Sequence, residues 1–166
     1  NSTGGGVRLS NGSVIELPAE GVVKTSGASY NGLINVYAAY IDPTNLAIGQ
    51  VVPGSFLADD KDNKRVILTS FGMLAVELET ASGEKLQVAT GKSAKLTIAI
   101  PASLRASAPA SISMWYLDES MGIWKEQGIA VKEGSSYVGE VSHFSYWNCD
   151  IAGETVNLTA TFRDQN

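Results

Sequence analysis

The segment best equipped for chemistry is Val141-Ser142-His143-Phe144-Ser145-Tyr146-Trp147-Asn148-Cys149-Asp150, which holds the single histidine of the chain two residues before a serine. Side-chain catalysis near neutral pH usually needs a group that titrates there, and histidine is the usual one. The chemistry this spacing suggests is self-cleavage. The Ser145 hydroxyl would attack the carbonyl carbon of Phe144 and move the acyl group from nitrogen to oxygen. Water would then hydrolyse the ester. Attack within one chain gains from proximity, and His143 would take the hydroxyl proton.

A regular strand opposes that chemistry. Residues i and i+2 lie roughly 6.5–7 Å apart on one face, whereas proton transfer needs about 2.6–3.2 Å. A bulge or kink at Phe144 must close the gap. Backbone strain of order 1–3 kcal/mol accelerates the step by at most about a hundredfold, so an aligned base and donors to the oxyanion are needed as well. The competing reading makes His143 a structural residue near the last strand, hydrogen-bonded to backbone, with Phe144 and Tyr146 packed on one face. An intact chain is the expectation.

Aromatic residues offer a second kind of site. Seven of the thirteen fall between positions 115 and 147. Exposed Trp and Tyr present flat apolar faces with polar edges, which suits stacking against sugar rings. Trp147 and Tyr116 are the candidates for such a platform, against the alternative that a β core uses its aromatics for packing.

Other constellations are weaker. Asp59-Asp60-Lys61-Asp62-Asn63 is dense in carboxylates but lacks the ligand spacing, glycine and closing glutamate of a calcium loop, and reads as a solvated hairpin tip. Asp118 and Glu119 are adjacent and would point to opposite faces of a strand, which gives no support to a glycosidase pair. One His and one Cys cannot build a structural zinc site, so no metal or cofactor is expected. Asn1-Ser2-Thr3, Asn11-Gly12-Ser13 and Asn157-Leu158-Thr159 match the glycosylation acceptor pattern, which arises freely by chance.

The elements that must position these residues are strands. Leu74, Val76 and Leu78 alternate with Glu77 and Glu79. Ala94, Leu96, Ile98 and Ile100 alternate with Lys95 and Thr97 before Pro101 ends the run. Ile112, Met114 and Tyr116 alternate with Ser111, Ser113 and Trp115, and Val156, Leu158, Ala160 and Phe162 with threonines and Asn157. Leu33 to Ile41 has few polar positions, as in a strand covered on both faces. Asn11-Gly12, Asp42-Pro43, Pro53-Gly54, Ser82-Gly83 and Met121-Gly122 supply turns. No helical stripe of useful length exists; Ala102 to Ala108 offers one turn. Many short strands predict an all-β, two-sheet antiparallel sandwich. Its core candidates are Leu74, Val76, Leu78, Leu96, Ile98, Ile100, Ile112 and Met114.

Composition bounds the rest. The chain has 166 residues, 44% hydrophobic and 17% charged, enough for one well-buried domain. A formal charge of −5 with twelve basic residues argues against nucleic acid. No apolar run approaches a membrane span. Residues 1–6 are polar and read as a flexible linker, 7–150 as the sandwich, and 151–166 as a final strand or the start of a following module. The lone Cys149 excludes an internal disulfide and leaves the compartment open.

Gly12 to Val23, with an apolar strand followed by Pro18 and a small residue, resembles the entry of a β-sandwich domain shared by zonula occludens proteins, ankyrins and Unc-type netrin receptors. Ser70-Phe71-Gly72-Met73, Ala94 to Pro101, the Trp115-Tyr116-Leu117-Asp118 turn before Trp124, and His143-Phe144-Ser145 follow in that family's order. Ile41-Asp42-Pro43-Thr44 and Ser142-His143-Phe144 are similar to modules of secreted bacterial surface proteins and of the cartilage intermediate layer proteins. The resemblance implies an extracellular or cell-surface building block flanked by adjacent domains of a longer chain. Its role would be architectural or the binding of a protein or glycan ligand. Cleavage between Phe144 and Ser145 and carbohydrate binding remain the alternatives.

Overall fold

The computed structural model describes residues 3–155; the expected strand of Val156 to Phe162 and the acceptor at Asn157 lie outside them. Twelve strands follow one another: β1 (Gly5–Arg8), β2 (Val14–Leu17), β3 (Val22–Lys24), β4 (Ile34–Ile41), β5 (Leu57–Asp59), β6 (Arg65–Thr80), β7 (Lys85–Val88), β8 (Ala94–Ala99), β9 (Ser111–Asp118), β10 (Ile123–Glu133), β11 (Ser136–Val141) and β12 (Tyr146–Glu154). The all-β expectation holds, and the pairings are antiparallel except for one among the described residues. Among the described residues helix is confined to α1 (Ile48–Val51) and a 3-10 turn at Ala102–Leu104, inside the segment expected to make one turn. Gly5 and Gly6, expected in the linker, pair with Leu17 and Glu16 instead.

The alternation does not reveal how the strands close. They join in one ladder, β1-β2-β8-β11-β10-β9-β12-β6-β7-β3, with β4 added to β6 and β5 bridging β6 and β10. The β5–β10 pairing is parallel, through Trp124↔Ala58 and Lys125↔Asp59. β10, β9, β12, β6 and β5 therefore form a closed ring, which leaves no open edge there. Two cores result. The larger contains every predicted core residue, with Phe71, Tyr137, Phe144 and Trp147 among its aromatics. Across it Phe71 of β6 meets Tyr137 of β11 edge-on, with centroids 6.4 Å apart. The smaller fills the ring with Met73, Trp115, Leu117 and Trp124, and the β4–β5 connection contributes Val52, Ile48 and Phe56.

A bulge lets β6 serve both cores. Asn148 pairs with Met73 and Asp150 with Ser70, so β6 carries one more residue than β12 across this interval, at Phe71-Gly72. The extra residue reverses the parity of the strand. Before it, even positions Val66 and Leu68 face the ring; after it, Met73 faces the ring while Leu74, Val76 and Leu78 enter the larger core. Polar groups pin the bulge. The Gly72 N–H donates to Ser70 Oγ at 3.2 Å, and Ser70 donates to Asn148 Oδ1 at 2.6 Å. The Asn148 amide donates to Asp150. Glycine is required at position 72: a Cβ there would lie 2.9 Å from both the Ala99 carbonyl oxygen and Ile98 Cγ2. β10 uses the same device, with its register shifting between Glu126 and Ile129.

Two expectations need correction. β4 is not covered on both faces: it pairs only with β6, and Tyr37 and Ala39 are exposed. Its alanines and few polar residues mimic a doubly buried strand, although only Ile34, Val36, Ala38 and Tyr40 pack against the larger core. Trp115, assigned to the polar face of β9, is fully buried because that face looks into the ring.

Candidate functional site

His143, Phe144 and Ser145 lie between β11 and β12, outside either strand. This connection carries the chain from the β8–β11 pairing to the β6–β12 pairing. The kink that self-cleavage would require is thus present, and the strand-based separation of residues i and i+2 does not apply. It also separates Phe144 from Tyr146. Phe144 enters the larger core and Tyr146 packs toward the ring, so the two do not share a face as expected.

The polar atoms of Phe144, the Ser145 hydroxyl and the His143 and Ser145 carbonyls have partners, while the His143 imidazole, expected to bond to backbone, makes no hydrogen bond among the described residues. Gln87 of β7 grips the Phe144 peptide from both sides: the Phe144 N–H donates to Gln87 Oε1 at 2.9 Å, and Gln87 Nε2 donates to the Phe144 carbonyl at 3.2 Å. A side-chain amide here does what a neighbouring strand would do. The Val76 N–H donates to the Ser145 carbonyl at 3.1 Å and extends the β6 ladder into the bend. The Ser145 hydroxyl donates to the Tyr146 carbonyl at 3.1 Å. The Trp147 indole N–H donates back to the His143 carbonyl at 3.0 Å.

His143 is half-buried among rings. Tyr116 meets its imidazole edge-on at 4.7 Å between centroids and an interplanar angle of 88°, and Trp147 lies at 5.1 Å, tilted by 54°. Burial disfavours the charged imidazolium and holds the His143 pKa below its ordinary value. The ring is therefore neutral near pH 7, the state a base requires. Gln87 Nε2 stands where an oxyanion donor for attack on Phe144 would stand. The hydroxyl, however, is turned toward Tyr146, and no hydrogen bond joins Ser145 to His143 among the described residues. Ser145 must rotate before any transfer.

The aromatic platform is not at Trp147. That side chain is fully buried and offers no face to a sugar. Tyr116 is half-buried and shares the cluster with Trp147 at 5.7 Å and His143. The cluster is packing: its apolar bodies join the core, and its one indole N–H has a backbone partner.

Gln87 is the residue that sequence reasoning missed. It sits between buried Leu86 and Val88 and looks like an ordinary outward-facing polar residue. Its partner lies 57 positions away, and no spacing rule links them. The acidic turn, by contrast, is the hairpin tip expected between β5 and β6. Asp60 Oδ1 accepts from the N–H groups of Asp62 and Lys64. Asp59 is ion-paired with Lys125 at 2.9 Å and Arg65 at 2.8 Å. Asp118 caps the β9–β10 turn through Ser120 and Met121, and the Ser120 hydroxyl, then the turn amides and lastly Lys125, favour its ionised form.

No helix among the described residues is long and apolar enough to cross a membrane. Cys149 is a free, fully buried thiol whose pKa burial pushes upward, which makes it inert as a nucleophile. No family model matches the chain, and no solved structure does. The chain is similar to cartilage intermediate layer protein 2 of Homo sapiens, with 28% identity over 123 residues; the match covers 72% of this chain and 10% of the human protein, so the chain spans about a tenth of that relative's length.

Proposed function

We propose that this chain is a non-catalytic β-sandwich module of a secreted or cell-surface protein, related to the zonula occludens, ankyrin and Unc-type domain, and that it serves architecture or partner binding. The observation that carries this reading is that the Ser145 hydroxyl makes no hydrogen bond to His143 among the described residues, while Gln87 holds both polar atoms of Phe144 in place. With the Ser145 hydroxyl committed to Tyr146, the bend acts as a joint between two parts of the fold. The partial match to a much longer human protein named for the intermediate layer of cartilage supports an extracellular setting with neighbouring domains. Denaturing mass spectrometry of purified protein tests it. The expected result is one polypeptide of 17.5 kDa after prolonged incubation at pH 7.

Self-cleavage between Phe144 and Ser145 is the second reading, favoured by the Gln87 donor on the would-be scissile carbonyl and by the neutral imidazole beside it. It predicts fragments 1–144 and 145–166, held together by sheet pairing under native conditions. It also predicts that Ser145→Ala abolishes the cut and His143→Ala slows it. A stoichiometric new N-terminus at Ser145 without added protease would replace the first reading with the second.

A further inference from the structure

The surface that β4, β6, β7 and the start of β12 present to solvent contains a groove of about 780 Å³, lined by Tyr37, Ala39, Ala75, Glu77, Gln87 and Tyr146. We infer that this groove is a binding site for a short neutral oligosaccharide; the inference rests on the partner-binding reading and gives that reading a ligand class.

The shape follows from the register. Ala39 pairs with Ala75, and Ala75 with Tyr146, so two methyl groups form a floor that ends at a tyrosine. One row further along, Tyr37 pairs with Glu77. Neighbouring strands are about 4.8 Å apart and same-face rows about 6.8 Å apart, which places the backbone positions of the two tyrosines on a diagonal roughly 12 Å long. That length spans two to three pyranose rings. Tyr37 is 54% exposed although it lies mid-strand on a sheet face, and no side-chain hydrogen bond or ring pairing engages it among the described residues. At the Tyr146 end the groove meets the mouth of the five-stranded ring, a frequent place for ligand sites in barrels.

The polar lining selects the ligand. Lys85 bridges Glu77 at 2.7 Å and Glu79 at 2.9 Å, so its one positive charge is already shared between two carboxylates and the three groups together stay net negative. Lys85 is the one lysine of the lining and is taken by Glu77 and Glu79, which leaves Glu119 uncompensated. An anionic glycan would meet carboxylates with no free cation, and a basic peptide would compete with Lys85 for Glu77 and Glu79. A neutral sugar needs neither. Its C–H faces stack on the tyrosines, while its hydroxyls reach the Glu77 carboxylate and the Ser145 hydroxyl, both in the lining.

The test is titration of the 15N-labelled chain with cellohexaose, maltohexaose and chitohexaose, with a heparin-derived hexasaccharide and a hexalysine peptide alongside. At least one neutral hexasaccharide should shift the amides of residues 37–39, 75–77 and 85–87 saturably, with a sub-millimolar dissociation constant. Tyr37→Ala should weaken that binding about tenfold, the loss usual for an anchoring tyrosine. Ala39→Ile, at an exposed strand position, should weaken it by filling the floor. Ile129→Ala, on an exposed part of β10 outside the groove, should change nothing. Absence of saturable shifts for all three neutral sugars at roughly 10 mM, preference for heparin or hexalysine, or binding indifferent to Tyr37→Ala would overturn the proposal. Any of those results would leave the intact-mass test untouched, so the two readings fail separately.

Discussion

Gln87 offers the sharpest test of how the His143–Ser145 bend is held. Gln87→Ala removes two hydrogen bonds, of 2.9 and 3.2 Å, from the peptide of a residue that is only 5% exposed. A typical neutral hydrogen bond contributes about 1 kcal/mol net, while a buried group left without a partner costs about 1–3 kcal/mol. The pair is part-buried, and water reaches one side, so the expected loss is about 2–4 kcal/mol. For a domain of this size that lowers the melting temperature by on the order of 10 °C. Gln87→Glu sharpens the argument because it changes one atom pair. The introduced carboxylate still accepts from the Phe144 N–H, but at pH 7 its second oxygen faces the Phe144 carbonyl as acceptor to acceptor. Protonation converts that oxygen into a donor, so the pKa of the carboxyl is raised in the folded state. Its stabilising contribution is therefore complete below its unfolded pKa, near 4.3, and is lost as the pH rises through the folded value. Urea unfolding at pH 7, 5.5 and 4 should show the deficit of Gln87→Glu against the parent shrinking as the pH falls, with the m-value unchanged. Gln87→Ala should keep a constant deficit. If Gln87→Glu matches the parent at pH 7, or gains nothing on acidification, the two-sided grip is not what holds the bend.

Three further outcomes follow from buried groups. Asp150 is buried with one carboxylate oxygen lacking a partner, and burial raises its pKa well above the ordinary value against the pull of Ser70 and Asn148. The stability tied to its proton is present below the unfolded pKa near 3.9 and is lost as the pH rises. Asp150→Asn should therefore be more stable than the parent at pH 7 by about 1–3 kcal/mol, and calorimetry should show that advantage vanishing toward pH 4. His143 has the opposite linkage, because its folded pKa is lowered: stability should fall as the pH drops below about 6.5, and His143→Phe, which keeps a ring against Tyr116 and Trp147, should remove that component. Gly72→Ala should cost about 2–4 kcal/mol in chemical denaturation, since the new Cβ meets the Ala99 backbone and Ile98 at 2.9 Å.

The larger core was legible in the sequence because β8 and the first half of β9 alternate cleanly with period two. Leu96, Ile98, Ile100, Ile112 and Met114 could be placed inward from spacing alone, and all are buried. The smaller core was not legible, for two physical reasons. Its closure depends on β5, three residues long, whose parallel pairing with β10 leaves no periodic trace. Its walls also change parity at the bulges in β6 and β10, where an alternation rule run straight through assigns side chains to the wrong side. Trp115 was misplaced because a strand between two cores buries both faces. The site divides in the same way. The local chemistry of His143 and Ser145 showed in their types and spacing, whereas Gln87 and the Tyr37 groove arise from pairings tens of residues apart.

The bulge at Phe71-Gly72 fixes how the length of this protein can vary. Turns such as Ser82-Gly83 lie outside both cores and absorb an added or lost residue locally. β6 has no such freedom. Losing Gly72 would restore uniform alternation and send Leu74, Val76 and Leu78 to the face now held by Ala75, Glu77 and Glu79. One deletion would thus turn the larger core outward along half a strand and erase the groove on the other side. Among sequences that share this architecture, the count of residues between Arg65 and Thr80 should therefore be far more constant than their identities.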